Sequence, residues 1–514
     1  MKRIFLILAI LLIIIGSCKK KLKEKHPPNI VLFFVDDMGW QDTSVNFWNQ
    51  KTPFNEIYRT PNMERLAKKG VKFTNAYASP VCSPTRVSLM TGMNAARHRV
   101  TNWTLRPDQK QPMELDHPSL IFPDWNFNGL GLNPSTPNTV YAKPLPQLLS
   151  EKGYYTIHAG KAHFGAIGYP SSNPLNLGFD VNIAGHAAGA PGSYLGLENF
   201  GNDNPDREVW AVPGLEKYHG QDIFLTEALT QEVFSALDHP VQKNQPFFLY
   251  FSLYGIHTPL MANERYIEPY RKMGLEEPEA RYASMIESVD DALGNLMDYL
   301  KENQLEKNTV ILFMSDNGGL SAVARGGEKH KHNLPLKSGK GSIYEGGIRV
   351  PMLTYWPNQN KAGTINHTPI IIEDFFPTIL EIAAVDSYDI PQKIDGQSFV
   401  PLLQSSFQSE TNRSLFWHYP NDWGNDGPGI GSFSAVRQGQ WKLIYFHTNN
   451  KLELYNLKDD IQENHNLLSS NYEKVKQLAV NLTQYLKKVN AQMPRDKLTS
   501  KTVPWPSNLE FFKE

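Results

Sequence analysis

Cysteine is almost absent: the 514 residues contain two, Cys18 and Cys82, so at most one disulfide could form. Excess charge is also lacking. Lys and Arg number 51 against 52 Asp and Glu, a formal net charge of −1. A general nucleic-acid binder carries a basic excess, and this balance argues against one while leaving room for a local basic pocket. Long apolar runs are missing beyond the first residues. Ile4 to Ile15 is unbroken, but it falls short of the roughly 20 residues a membrane-spanning helix needs. There is no internal repeat and no long low-complexity tract, and no cysteine–histidine cluster of the kind zinc selects.

The first residues do carry a signal. Lys2 and Arg3 precede the apolar run, which ends in Ile15-Gly16-Ser17-Cys18. This is the layout of a signal peptide, and small residues before a cysteine resemble a bacterial lipobox. Residues 1–17 are expected to be removed, Cys18 to be lipidated, and residues 18–28, rich in lysine between Lys19 and Lys25, to form a solvated tether. The protein is then exported and lipid-anchored, with the outer membrane the expected location, on its periplasmic or cell-surface face. Cys82 is left without a partner in an oxidising compartment, where unpaired thiols are uncommon.

From residue 29 to about 405, short apolar runs alternate with helical patterns, which predicts an α/β catalytic domain. Three runs end in polar residues. Asn29–Val35 is followed by Asp36-Asp37, Pro246–Leu253 by His257, and Thr309–Met314 by Ser315-Asp316-Asn317-Gly318-Gly319. Open α/β sheets place ligand sites just past the carboxyl ends of their strands. A Gly- and Asn-rich stretch, 422–431, follows the large region. Beyond it, Ala435–Phe446 and Lys451–Tyr455 read as antiparallel strands with a turn at Gly439. Val475, Leu478, Ala479, Leu482, Leu486 and Val489 mark one helical face. Residues 406–514 are expected to form a small α+β subdomain.

Oxygen-donor residues follow two of those strands: Asp36, Asp37, Asp316 and Asn317 suit a hard cation, Ca²⁺ or Mg²⁺, better than zinc. The segment Pro80-Val-Cys82-Ser-Pro84-Thr-Arg86-Val-Ser-Leu-Met-Thr-Gly92 places Pro84 in the first turn of a helix, whose free N–H groups would face an anion. Its Cys-x-Pro-x-Arg core, continued by Ser-Leu-Met-Thr-Gly, resembles the signature of type I, formylglycine-dependent sulfatases. Gly153-Tyr-Tyr-Thr-Ile-His-Ala-Gly-Lys161-Ala-His163-Phe-Gly165 resembles a second pattern of that family, with Ala162 where tryptophan is usual. The resemblance covers Asn29 to about Leu457 and includes Asp374-x-x-Pro377-Thr378, Asp395-Gly396 and Arg437-x-Gly439-x-Trp441-Lys442-Leu443.

That resemblance implies an alkaline-phosphatase-like fold: a central mixed sheet flanked by helices, with a small C-terminal sheet. It implies that a formylglycine-generating enzyme oxidises Cys82 to formylglycine (3-oxoalanine), whose hydrate attacks sulfur. One Ca²⁺ would be held by Asp36, Asp37, residue 82, Asp316 and Asn317. Arg86 would hold the hydrate and the ion's ligands, and Lys161 and Lys340 would bind sulfate oxygens. His163 would act as base when sulfate is expelled, and His257 would contact the bridging oxygen or protonate the leaving alcohol. Lys337, where relatives often have arginine, is left outside the site, and His26, His367 and His447 are expected at the surface.

The expected substrate is a sulfated glycan, first ulvan or carrageenan from marine algae, then host glycosaminoglycans. Trp103, Trp125, Trp210, Trp417 and Trp423 are candidates for stacking on sugar, and His98, His186 and His418 for substrate contacts. Two other functions remain open at this point: a phosphodiester or phosphonate monoester hydrolase using the same nucleophile, and a non-catalytic glycan-binding lipoprotein.

Overall fold

The computed structural model describes residues 27–322, 324–404 and 412–512. The apolar run, Cys18, Lys19–Lys25 and His26 lie outside the described residues, as does the expected boundary at 405–406.

The central strands of the main sheet are nearly continuous apolar runs, because both faces are covered. β1 (Asn29–Val35) is buried throughout. β2 is Val71–Tyr77, β3 Tyr155–Gly160, β4 Val181–Ile183, β5 Phe247–Ser252, β6 Thr309–Ser315, β7 Arg349–Tyr355, β8 Thr364–Asn366 and β9 Ile370–Ile371. Their order is β8-β2-β7-β6-β1-β5-β3-β4, with β9 also pairing to β2. Phe33 of β1 sits opposite Phe251 of β5 and Phe313 of β6, both in parallel pairing. β7 alone runs against its neighbours β2 and β6, so the sheet is mixed, as expected.

Seven helices matter for the layers: α1 (Pro61–Lys69), α2 (Cys82–Thr91), α3 (Leu145–Glu151), α4 (Leu225–Lys243), α5 (Glu277–Glu302), α6 (Phe375–Ile382) and α7 (Tyr472–Lys488). Alternate residues of β1 feed two cores. Val31, Phe33 and Val35 pack with Leu66 of α1, Leu229 and Val233 of α4, and Ile286 and Leu293 of α5. Ile30, Leu32 and Phe34 pack on the other face with Leu89 of α2, Leu148 of α3 and Ile379 of α6. The described residues contain no helix long and apolar enough to cross a membrane.

A second sheet follows, β10 (Ser414–Tyr419), β11 (Phe433–Gln438), β12 (Trp441–Phe446) and β13 (Lys451–Asn456), antiparallel in that order. Gly439, at φ 58°, begins the two-residue turn between β11 and β12, a backbone region glycine enters without a Cβ penalty. One face of the sheet joins the main core through Leu415, Trp417 and Ala435. The other is covered by α7 through Val475, Leu478, Leu482 and Leu486.

Two expectations need correction. The Gly- and Asn-rich stretch 422–431 does not precede the second sheet; it connects β10 to β11 inside it. β10 escaped notice because Phe416-Trp417-His418 shows no alternation of apolar and polar residues. His447 is not at the surface. It is 1% exposed, its ring nitrogens 2.8 and 2.9 Å from the Ser432 and Ser434 hydroxyls. His367 is exposed, as expected.

Candidate active site

Parallel strands β6, β1, β5 and β3 lie side by side, so their carboxyl ends share one edge of the sheet. Asp316 and Asn317 follow β6, Asp36 and Asp37 follow β1, His257 follows β5, and Lys161 and His163 follow β3. β7 runs the other way, so its start faces the same edge, and the loop leading into it delivers Lys340. Cys82 is the first residue of α2, after the turn that leaves β2.

All these groups except the partly exposed His257 are withdrawn from solvent. Asp36, Asp37, Arg86, Lys161, Asp316 and Asn317 are 0% exposed and Lys340 is 4% exposed. Charge is balanced locally in pairs. Lys161 Nζ lies 2.6 Å from Asp36 Oδ2, and Lys340 Nζ 2.6 Å from Asp37 Oδ1. Arg86 donates from Nε and an Nη to Asp316 Oδ2 at 3.0 and 2.8 Å. Its other Nη donates to the Lys161 carbonyl at 2.9 Å and the Ser252 hydroxyl at 2.6 Å. Buried charges persist only when paired and hydrogen-bonded in this way.

The carboxylates respond unequally. Burial, then the nearby Asp316 carboxylate, pushes Asp36 well above the usual carboxylate range despite Lys161. Burial also works to raise Asp37, but Lys340 and His257 outweigh it and hold the group low. Burial raises the Cys82 thiol, with Lys161 and Lys340 opposing. Burial works to lower Lys340, and Asp37 reverses it.

The two histidines have assignable tautomers, because a carbonyl can only accept. His163 Nε2 lies 2.8 Å from the Thr104 carbonyl, so it carries the proton. Nδ1 is then a lone pair, buried and without a hydrogen-bond partner. Burial, then Lys161, holds this imidazole neutral, well below its usual pKa. His257 Nδ1 lies 2.9 Å from the Thr258 carbonyl, which leaves the lone pair on Nε2, 3.8 Å from Asp37 Oδ2. Burial, then Lys340, brings its pKa down to about 3. Asp37 and His163 both sit at positive φ, 59° and 56°, a conformation found for non-glycine residues mainly where the surroundings enforce it.

The oxygen atoms fit a hard cation. One donor atom each from Asp36, Asp37 and Cys82 lie within 4.8 Å of one another. Asp36 Oδ1 and Asn317 Oδ1 are buried and have no hydrogen-bond partner, a costly state for polar atoms unless something else satisfies them. A divalent ion among Asp36, Asp37, Asp316 and Asn317 would do so, through the oxygen donors Ca²⁺ and Mg²⁺ favour.

Three residues that sequence reasoning missed support this cluster. Ser252 fixes Arg86, and its signal was a hydroxyl ending an otherwise apolar strand. Thr104 orients His163, and Tyr282 donates to the Asp37 carbonyl at 3.0 Å. Nothing local marked these two, which come from distant segments.

The proposed substrate contacts fare differently. His98 is 0% exposed, with Nε2 3.0 Å from the Ser88 hydroxyl and Nδ1 accepting from the Val100 amide. His418 lies between the Ser434 hydroxyl and the Gln492 carbonyl. Both rings are fully used inside the protein, so neither is a substrate contact. His186 remains beside the site, its carbonyl accepting from the His163 amide at 3.3 Å and its Nε2 unpartnered. Trp125 and Trp417 are buried, donating to Glu114 and to the Ala78 carbonyl, whereas Trp103, Trp210 and Trp423 are half-buried. Lys337 stays outside, its ammonium on the Glu463 carbonyl and over the Tyr344 ring.

Comparison with known proteins adds independent findings. The sulfatase family profile matches residues 28–385, and a profile described as N-sulphoglucosamine sulphohydrolase, C-terminal, matches residues 338–492. The N-acetylgalactosamine-6-sulfatase of Mus musculus is 30% identical over 83% of this chain and 74% of its own. A sulfatase of Formosa agariphila is 26% identical over 89% and 87%. The crystal structure of Ps i-CgsB in complex with k-i-k-neocarrahexaose superposes with a TM-score of 0.70 at 27% identity, over 90% of this chain and 93% of that one.

Proposed function

The chain belongs to the sulfatase family and is a sulfuric ester hydrolase, and on that premise we propose that it removes sulfate from sulfated glycans, using a formylglycine made from Cys82 and one Ca²⁺. The carrying observation is the position of Cys82. It opens helix α2, within 4.8 Å of donor atoms of Asp36 and Asp37, and feels both the Lys161 and Lys340 ammonium groups.

The charge count supports this reading. Asp36, Asp37 and Asp316 offset Arg86, Lys161 and Lys340. A divalent ion would leave the pocket net positive, matched to an anionic sulfate ester. The two absent groups would supply a Lewis acid and an aldehyde whose hydrate is an oxygen nucleophile. This chain's own residues do the rest. Arg86 fixes Asp316 and, through Ser252 and the Lys161 carbonyl, the end of β3. Lys161 and Lys340 present cations to the sulfate oxygens. His163 keeps Nδ1 free to accept a proton when sulfate is expelled. His257 keeps Nε2 toward Asp37; a bound anion would favour its imidazolium form, which can protonate the leaving alcohol.

A saccharide substrate is supported by the names of the murine relative and of the Ps i-CgsB complex. Within that class we favour algal galactans of the carrageenan type over ulvan. Lipidation at Cys18 and anchoring in the outer membrane rest on the lipobox-like segment and complete the proposal. The test is peptide mass spectrometry across Cys82 after co-expression with a formylglycine-generating enzyme, alongside turnover of an aryl sulfate. Conversion lowers the peptide mass by about 18 Da and should accompany turnover. An unconverted thiol in a preparation that still hydrolyses the ester would overturn the nucleophile assignment.

A further inference from the structure

A cavity of about 1150 Å³ opens between the edge of the main sheet and the second sheet. It is larger than the roughly 300–1,000 Å³ that small ligands occupy. None of its lining residues belongs to the catalytic cluster. Five cations line it, Lys72, Arg349, Arg437, Lys458 and Lys474, and among the described residues no aspartate or glutamate does. Arg349 is paired with Glu345. Arg437 acts on the same carboxylate and donates to Tyr77 and the Gly439 carbonyl; among the described residues, Lys72, Lys458 and Lys474 have no carboxylate ion pair.

That imbalance stands out in a chain of net charge −1. Elsewhere acids are interspersed with the cations, and some pair with them even at exposed positions, as Arg65 does with Asp298 and Arg271 with Glu277. Burial depresses the Lys72 pKa, which is the cost of leaving an ammonium group without a counter-ion. Concave walls of one sign concentrate the field and raise the local concentration of oppositely charged ligands. The walls also hold indoles. Trp48 and Trp441 line the cavity and are half-buried. Asn49, Asn412, Gln438 and Gln440 add hydrogen-bonding side chains. Cations, part-exposed tryptophans and amides together suit a sugar chain bearing anionic groups.

We propose that this groove is a second binding site, for a sulfated oligosaccharide, separate from the catalytic centre and serving to hold a polymeric substrate. The ligand class rests on the proposed function; the site itself does not. The probe is dextran sulfate, with uncharged dextran as control, titrated calorimetrically against protein carrying Cys82→Ser so that no turnover intervenes. The variant is Lys458→Ala with Lys474→Ala, two residues clear of the catalytic cluster; Lys458→Glu with Lys474→Glu is the stronger form. The expected result is dextran sulfate binding that weakens about tenfold in the alanine pair and further in the glutamate pair, with no binding of dextran. In protein with the natural Cys82, the alanine pair should raise KM for a sulfated polysaccharide and leave turnover of a small aryl sulfate unchanged. Unaltered dextran sulfate affinity in both pairs would overturn the groove. Failure of every preparation to hydrolyse aryl sulfate, with groove-dependent binding intact, would instead overturn the catalytic reading alone.

Discussion

At the scale of single residues, the site separates groups that do chemistry from groups that hold the fold. The Cys82 thiol is buried, unpaired and outside the hydrogen-bond network of the described residues. Cys82→Ala should therefore abolish turnover while leaving the melting temperature within about 2 °C of the parent. Activity above a hundredth of the parent's would count against the assigned nucleophile. Arg86 is the opposite case. It spans Asp316, Ser252 and the Lys161 carbonyl with every donor buried. Arg86→Ala strands the Asp316 carboxylate, and breaking a buried pair costs about 3–5 kcal/mol. Chemical denaturation without divalent ions should show that loss, together with lost turnover. The unpartnered oxygens of Asp36 and Asn317 make a third prediction. Chelation should inactivate the enzyme, and calcium should both restore activity and raise the melting temperature, because an ion bound only by the folded state stabilises it. Asn317→Ala should blunt that thermal response; an undiminished response would remove Asn317 from the ligand set.

At the scale of elements, the strand ends are what bring the site together. β3 shows how tightly. Gly160, its last residue, has φ 96°, and a Cβ there would stand 2.0 Å from the Ser252 carbonyl oxygen of β5. That oxygen accepts from the Lys161 amide at 2.7 Å. Gly160→Ala should force the two strand ends apart, cost about 1–3 kcal/mol, and lower kcat through displaced Lys161 and His163. Unchanged kcat with lowered stability would show that the strand ends move without disturbing the site. The strands themselves were legible in the sequence, because burial on both faces demands unbroken apolar runs such as Ile30–Val35 and Val310–Met314. The polar residues after them were legible for the same reason: a run that stops abruptly at Asp36 or Asp316 marks the sheet's edge. β10 was not, since its mixed composition is decided by tertiary contacts. The roles of His98 and His418 were also hidden. A histidine in a polar-looking stretch reads alike whether its nitrogens face solvent or, as here, Ser88 and Gln492.

At the scale of the whole molecule, buried ionisable groups set how stability varies with pH. His98 and His158 are held neutral by burial with pKa values near 3, His186 and His418 near 4, and His447 lower than usual. Each lies below its unfolded value of about 6.5. The unfolded chain binds protons that the folded chain refuses, so this stabilisation is full above pH 6.5 and is lost as pH falls toward 3. Buried acids have the opposite sign. Burial, then the adjacent Asp374 carboxylate, raises Glu373 to about 8, and burial raises Asp290 and Glu463 to about 7. Their contribution is complete below the unfolded carboxylate range and is lost as pH rises through 7 to 8. Between pH 4.5 and 6.5 the histidines outnumber the acids and stability climbs. Above 6.5 only the acids still titrate, and it declines, which places the maximum near neutrality. Glu373→Gln removes the largest of these acid contributions without breaking its contact, because its amide oxygen can still accept the 2.8 Å bond from Asn94. Melting curves from pH 4 to 9 should show a steeper climb between pH 4.5 and 6.5 and a reduced decline between pH 6.5 and 8. A decline as steep as the parent's would mean that Glu373 is already ionised in the folded protein.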